Sequence, residues 1–350
     1  MKGFFNFRIK DKVSFLIEKK SVWVVLSLLA VSFVLFLISV GLGDYYVDPL
    51  TVLSVLFGGG DYMEQLVVMD FRLPRILIAL LVGIGLAVSG AILQGIIRNP
   101  LASPDIIGVT GGASVAVVAF MAIFTNENNV LTVSISWMPL AAFIGATVVA
   151  FLVYFLAWKN GVSPVRLVLI GIGISTLMQA LTTLFMILGP IYQAGKANIW
   201  ITGTVHGSQW ADVVILTPWT IVFVILAFIA SRILNLQELG DDLAVGAGGN
   251  VQKQRFTLLM ISTALVGGAV AFGGGIGFVG LMAPHMARRL VGSSFGALIP
   301  TSALIGAILV VLADLIGRTA FSPLEIPAGV FTAGIGAPYF IYLLFRTRSK

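Results

Sequence analysis

Nine uncharged, mostly apolar stretches follow one another along this 350-residue chain, at 21–43, 76–97, 106–124, 137–158, 167–189, 213–231, 256–287, 290–313 and 326–345. Each matches or exceeds the roughly 17 to 25 residues that an α-helix needs to cross a hydrocarbon core. Inside lipid, backbone N–H and C=O groups must find partners within the protein, and uninterrupted apolar runs of this length read as helices. Composition agrees: 58% of residues are hydrophobic and 10% charged, where soluble domains carry about a quarter charged. The sequence therefore predicts an all-α polytopic membrane protein, a single transmembrane domain over residues 1–350 with no stretch long enough for a separate soluble domain. The chain has no cysteine, which excludes disulfides, thiolate metal sites and cysteine nucleophiles.

The stretch 256–287 would make a helix of about 48 Å, too long for a core of about 30 Å. Gly273-Gly274-Gly275 is the natural break, because three glycines weaken a helix and permit a turn. About ten spans result, and an even number returns both termini to one side. With both termini cytoplasmic, all but four of the 21 Lys and Arg residues fall inside, as positive-inside sorting requires; the four are Arg72, Arg75, Lys196 and Arg318. The N-terminal segment 1–20, with Lys2, Arg8, Lys10, Lys12, Lys19 and Lys20, is then cytoplasmic, and the first apolar run is a retained span rather than a cleaved signal. Asp44, Asp48, Asp61, Glu64 and Asp70 make the first outer loop acidic. Ten spans divide into five and five, which an inverted-topology pseudo-repeat would relate.

Two glycine patterns suggest nucleotide binding and fail on context. Gly275-Ile-Gly277-Phe-Val-Gly280 fits G-x-G-x-x-G but lies in a membrane-length apolar segment with no preceding strand. Gly189 to Lys196 has the wrong spacing for a phosphate loop, and Ala197 stands where Ser or Thr is required. His206 and His285 are far apart and form no ligand cluster, so no metal site is expected. Asp314 is the one carboxylate near a span, close to its outer end, which weakens an ion-coupled carrier reading. Asp314 and Arg318 stand i, i+4 and can simply pair on one helix face.

The longest inward connection is 232–255. Leu236, Leu239 and Leu243 fall at i, i+3 and i+7, predicting one apolar stripe on a short helix with Glu238, Asp241 and Asp242 on its polar side and a turn in the glycines that follow. A cytosolic amphipathic hairpin suits docking onto another protein, and its acids disfavour lying on anionic headgroups.

Several motifs together give the chain a family likeness. Arg72-Leu73-Pro74-Arg75 opens a span that closes on Arg98-Asn99-Pro100-Leu101-Ala102-Ser103-Pro104, and further on stands Gly275-Ile-Gly-Phe-Val-Gly-Leu-Met-Ala-Pro-His-Met-Ala-Arg-Arg289. With Gly240-Asp-Asp-Leu-Ala-Val-Gly-Ala-Gly248 and Gly336-Ala-Pro-Tyr-Phe340, the chain resembles, over nearly its whole length, the FecCD family of ABC importer permeases, which move iron-siderophores, haem or cobalamin. The resemblance implies sockets for glutamates of an external substrate-binding lipoprotein at Arg72, Arg75 and Arg318; the competing, less favoured reading is that Arg72 and Arg75 merely snorkel and anchor their span. It implies an inner gate at Asn99 and Leu101, and an ATPase-coupling segment at Leu236, Leu239, Gly240, Asp241, Asp242, Leu243, Ala244 and Gly246. There the glycine-rich run departs from the family's usual ending. It implies a translocation path along 167–189, with Thr176, Gln179, Thr182, Thr183 and Met186, residues that helix packing would explain as well. The implied partners are a second permease, identical or paralogous, two ATP-binding subunits, the external binding protein and the lipid bilayer of a bacterial cell membrane, with no nucleic acid. ATP and Mg would sit on the ATPase, with no cofactor on this chain, which would be no enzyme. An iron(III)-siderophore is the expected cargo, haem or cobalamin the alternatives, and an ion-coupled secondary transporter the rival from another class.

Overall fold

A computed structural model describes residues 4–9, 13–126 and 128–348, so Lys2, Lys10 and Lys12 of the basic N-terminal segment lie outside the described residues. The chain is predominantly helical. A short antiparallel hairpin, β1 (Phe4–Ile9) with β2 (Val13–Glu18), leads straight into α1 (Lys19–Gly41), a departure from the all-α expectation. There follow α2 (Pro49–Leu56), α3 (Tyr62–Gln65), α4 (Leu73–Ile97), α5 (Val109–Ile123), α6 (Met138–Ala157), α7 (Pro164–Leu188), α8 (Ile191–Thr202) and α9 (Trp210–Ile229). The chain continues through α10 (Ser231–Glu238), α11 (Asp241–Gly246), α12 (Val251–Gly273), α13 (Val279–Val291), α14 (Phe295–Thr319) and α15 (Ala328–Arg348). Among the described residues, seven helical stretches are long and apolar enough to cross a membrane: α1, Tyr62–Ile97, Ile135–Ala157, α7, α9, α12 and α14. The remaining expected spans correspond to the shorter helices α5 and α13 and to α15, whose apolar part is Ala328–Tyr342.

The break in 256–287 falls where the glycines place it. Helix α12 stops at Gly273, Gly274 adopts φ +65°, and α13 restarts after Phe278. The G-x-G-x-x-G pattern is thus an interhelical turn, with the Gly275 N–H donating to the Trp200 carbonyl at 3.2 Å.

Helix α4 is the axis of the molecule and is buried on every side along most of its length. Pro74 follows the π-helical segment Leu66–Arg72 that joins α3 to α4, and Arg98 ends α4 in the left-handed conformation at φ 54°, with Pro100 beyond. Lipid tails are as apolar as Leu, so helices here associate through close approach and polar contacts rather than through hydrophobic burial. Accordingly a Cβ on Gly90 of α4 would collide with the Gly280 carbonyl of α13, and one on Gly83 with the Gly306 carbonyl of α14. On the α12 side, the hydroxyls of Ser89 and Ser262 meet at 2.8 Å. The outer helices α7 and α9 instead expose Leu169, Ile172, Ile187, Val214, Val222 and Ile229, apolar surface suited to lipid or to another membrane subunit.

Replacing Gly90 with Val should therefore force α4 and α13 apart. Overpacking of this kind costs about 1–3 kcal/mol, so the thermal midpoint of the purified protein should fall by several degrees. Gly296→Ala, where no neighbour lies within 4 Å, should leave it unchanged.

Candidate functional site

Polar side chains concentrate at the two ends of the bundle. At the first end, the α4 start, the α14 end and the loops after α1 and α8 converge on three arginines. Arg75 is gripped from the side by Asp314, with Nε at 3.0 Å and Nη2 at 2.9 Å from Oδ1. Its remaining Nη1 reaches Glu325 at 2.9 Å, and Glu325 also meets His206 Nδ1 at 2.7 Å. Arg72 donates from Nη1 to the carbonyls of Val40 and Gly41 at 2.7 and 3.0 Å, and from Nη2 to Tyr45. Arg318 donates to the carbonyls of Leu42, at 2.7 Å, and Ser39. Both therefore satisfy carbonyl oxygens that α1 leaves open at its C-terminus. The expected i, i+4 pair of Asp314 with Arg318 exists only at 3.7 Å, because Arg75 takes the carboxylate first.

Of these partners the sequence reading missed Glu325 and His206. Their separation from Arg75 by 250 and 131 residues leaves no local signal. His285, the other histidine, packs edge-on against the rings of Tyr339 and Phe340.

At the opposite end, residues 232–255 hold the two short helices of a hairpin, α10 and α11, before α12 begins. Gly240, at φ +122°, turns the chain between α10 and α11, so Leu236 and Leu239 do not share a helix with Leu243 and the predicted continuous stripe is broken before the acids rather than after them. The consequence is a protruding apolar tip of Leu239, Leu243 and Val245, each at least 60% exposed. Ala244 is buried beneath it, while Asp242 and Gly246 face outward.

Asp241 faces the bundle instead. It pairs with Arg98, the residue that ends α4, and with Arg255 of α12 at 3.0 Å, while Arg98 Nε also donates to the Gln237 carbonyl at 2.6 Å. Arg255 is 1% exposed and spends its other Nη on the Val162 carbonyl. Partial burial pushes the Asp241 carboxyl up, but the Arg255 charge and the Arg98 hydrogen bond outweigh it and hold it below the usual carboxylate range. A lowered carboxylate pKa stabilises above the ordinary value and is lost only as pH falls through the lowered one, so this clamp persists across neutral pH. Asn99 and Leu101 stand one and three residues beyond Arg98, both exposed, and the Asn99 side chain accepts from the Leu101 N–H at 2.9 Å. Neither Arg98 nor Arg255 was singled out in the sequence, where each reads as a charge bounding an apolar run.

Along α7, Thr176, Gln179 and Thr183 fall on one exposed face at helical spacing, and Met186 is half-buried near its end. Thr182 departs from them: it is buried and its hydroxyl donates to the Met178 carbonyl at 2.8 Å. Asp314 is also not the only carboxylate beside a long apolar helix. The turn before α5 lies across α7, where the Ser175 hydroxyl donates to the Asp105 carbonyl at 3.2 Å, about 16 Å along that helix from its start. Asp105 is exposed there and accepts from Thr110 at 2.8 Å. The sequence hid it at the edge of a stretch whose first residues are turn rather than helix.

The pattern of the FecCD transport family matches residues 29–346. The "Probable siderophore transport system permease protein YfhA" of Bacillus subtilis (strain 168) is 58% identical over 333 residues, 95% of this chain and 97% of the relative. The "Iron(3+)-hydroxamate import system permease protein FhuG" of the same strain is 43% identical over 326 residues, 92% of this chain and 97% of the relative. Among solved structures, a metal-chelate type ABC transporter in an inward-facing conformation superposes with a TM-score of 0.83 at 31% identity, covering 93% of this chain and 99% of the other. With the family pattern spanning nearly the whole sequence, this chain belongs to the FecCD transport family.

Proposed function

We propose that this chain is the membrane-spanning permease subunit of a binding-protein-dependent ABC importer that carries an iron(III)-siderophore across a bacterial cell membrane. The observation that carries this reading is the 58% identity, nearly end to end, with a protein named as a siderophore transport permease. Ferric-hydroxamate and ferric-citrate permeases among the other relatives favour a ferric chelate over haem or cobalamin.

In this reading α1, α4, α5, α6, α7, α9, α12, α13, α14 and α15 are ten spans in two groups of five with inverted topology, and both termini are cytoplasmic. The Arg75 end is external and receives carboxylates of a substrate-binding lipoprotein at Arg72, Arg75 and Arg318. The Asp241 end is cytoplasmic. There the tip of Leu239, Leu243 and Val245 seats in a groove of an ATP-binding subunit, which holds ATP and Mg. Two such subunits and a second permease, identical or paralogous, complete the assembly. The exposed α7 face of Thr176, Gln179 and Thr183 then lines the path between permeases, weakly polar as a conduit that must release its cargo requires. Asn99 and Leu101 close its cytoplasmic mouth. Because Asp241 binds both Arg98 at the start of that mouth and Arg255 at the foot of α12, movement of the coupling helices reaches the gate through one ionic clamp.

Co-purification with the ATPase subunits and reconstitution in liposomes tests the assignment. Uptake of an iron-55 hydroxamate siderophore should require internal ATP and added binding protein. Uptake by this chain alone, driven by an ion gradient, would establish the secondary carrier instead.

The clamp has its own signature. Arg98→Gln should leave folded protein and ATPase assembly intact but lower uptake per ATP hydrolysed, and Asp241→Asn should lower uptake by about tenfold or more, since it strands the buried Arg255 charge. Uptake and hydrolysis falling in the same proportion would reject a transmission role.

A further inference from the structure

The three external arginines are all occupied within the chain itself. Arg72 and Arg318 are spent on α1 carbonyls, and Asp314, 3% exposed, takes the inner edge of the Arg75 fork. One donor points outward, Arg75 Nη1, and it is paired with Glu325 at 2.9 Å. The two acids on Arg75 differ in setting. Asp314 is fixed on a helix and buried, whereas Glu325 lies in the connection between α14 and α15, with a side chain 39% exposed and a second partner in His206.

A carboxylate arriving from outside must approach Arg75 through the position that Glu325 holds. Two carboxylates on one outward N–H repel each other, so arrival and departure are linked. Arg75 itself is 13% exposed, and leaving its outward edge unpaired would carry a desolvation cost that an internal partner removes. Glu325, half in water and bound to His206, can leave at small cost.

We propose that Glu325 is an internal occupant of the Arg75 seat, holding the guanidinium paired in the free permease and giving way to one carboxylate of the external binding protein. The fitting partner is an acidic protein surface that presents a glutamate or aspartate to Arg75, and Glu325 sets how tightly it is held. This rests on the proposed docking of a binding protein at this face.

The test is binding of the cognate extracytoplasmic binding protein, fluorescently labelled and without its lipid anchor, to the whole transporter in lipid nanodiscs. Glu325→Gln should tighten binding by about two- to fivefold, the contribution of one exposed competing ion pair, and Glu325→Ala should act in the same direction. Arg75→Glu should abolish binding. If Arg75→Glu abolishes binding while both Glu325 variants bind at or below the wild-type affinity, the internal occupant is rejected and docking at Arg75 stands. If Arg75→Glu binds normally, docking itself fails at this residue, and any effect of Glu325 on this seat fails with it.

Discussion

Burial of α4 is the constraint from which the rest of the molecule follows. A helix packed on all sides has no lipid face of its own, so its neighbours must come close enough to replace lipid with backbone, which is why glycine stands at its contacts with α13 and α14. The same burial confines its charges. A guanidinium in hydrocarbon costs several kcal/mol, and α4 carries its arginines only at its termini, Arg75 in the first turn and Arg98 just past the last residue. About 35 Å of uninterrupted helix therefore separates two ionic sites and joins them rigidly.

Both sites work by the same rule, that a buried or partly buried arginine must have a partner. At one end Arg75 has Asp314 and Glu325; at the other Arg98 and Arg255 share Asp241. Each acid belongs to a different helix or loop from the arginine it meets, so each pair is also a joint between elements. Asp314 ties α14 to α4, and Asp241 ties the α10–α11 hairpin to α4 and α12. Moving any of these elements breaks an ion pair in a place where water cannot fully compensate, so each joint resists displacement.

How much of this was legible in the sequence follows from the range of the interactions. Spans are local, and hydrophobic length located most of them, including the break at Gly273-Gly274-Gly275. Arg72, Arg75 and Arg318 stood out in the sequence because the expected charge sorting separates them from most of the other basic residues. Ion-pair partners did not, since Asp314 lies 239 residues from Arg75 and Asp241 lies 143 from Arg98. The leucine stripe failed for a local reason: periodicity assumes one helix, and Gly240 at φ +122° ends it between Leu239 and Asp241. Asp105 was missed because charge-free length was equated with helix, whereas residues 105–108 form a turn lying against Ser175.

Arg72, Arg75 and Arg318 share a residue type but divide their work. Arg72 and Arg318 reach carbonyls of residues 39–45, where α1 has ended and its last C=O groups lack helical donors. Removing either charge exposes those acceptors and loosens α1 against the bundle. Arg75 alone keeps a donor on the outward side, and Asp314 holds the rest of its fork in place so that the donor has one direction. A lysine there would keep the charge but lose the planar fork that lets one residue meet a buried and an exposed carboxylate at the same time. Shape as well as charge is therefore what this position requires, and the fork's inner edge is what makes its outer edge usable.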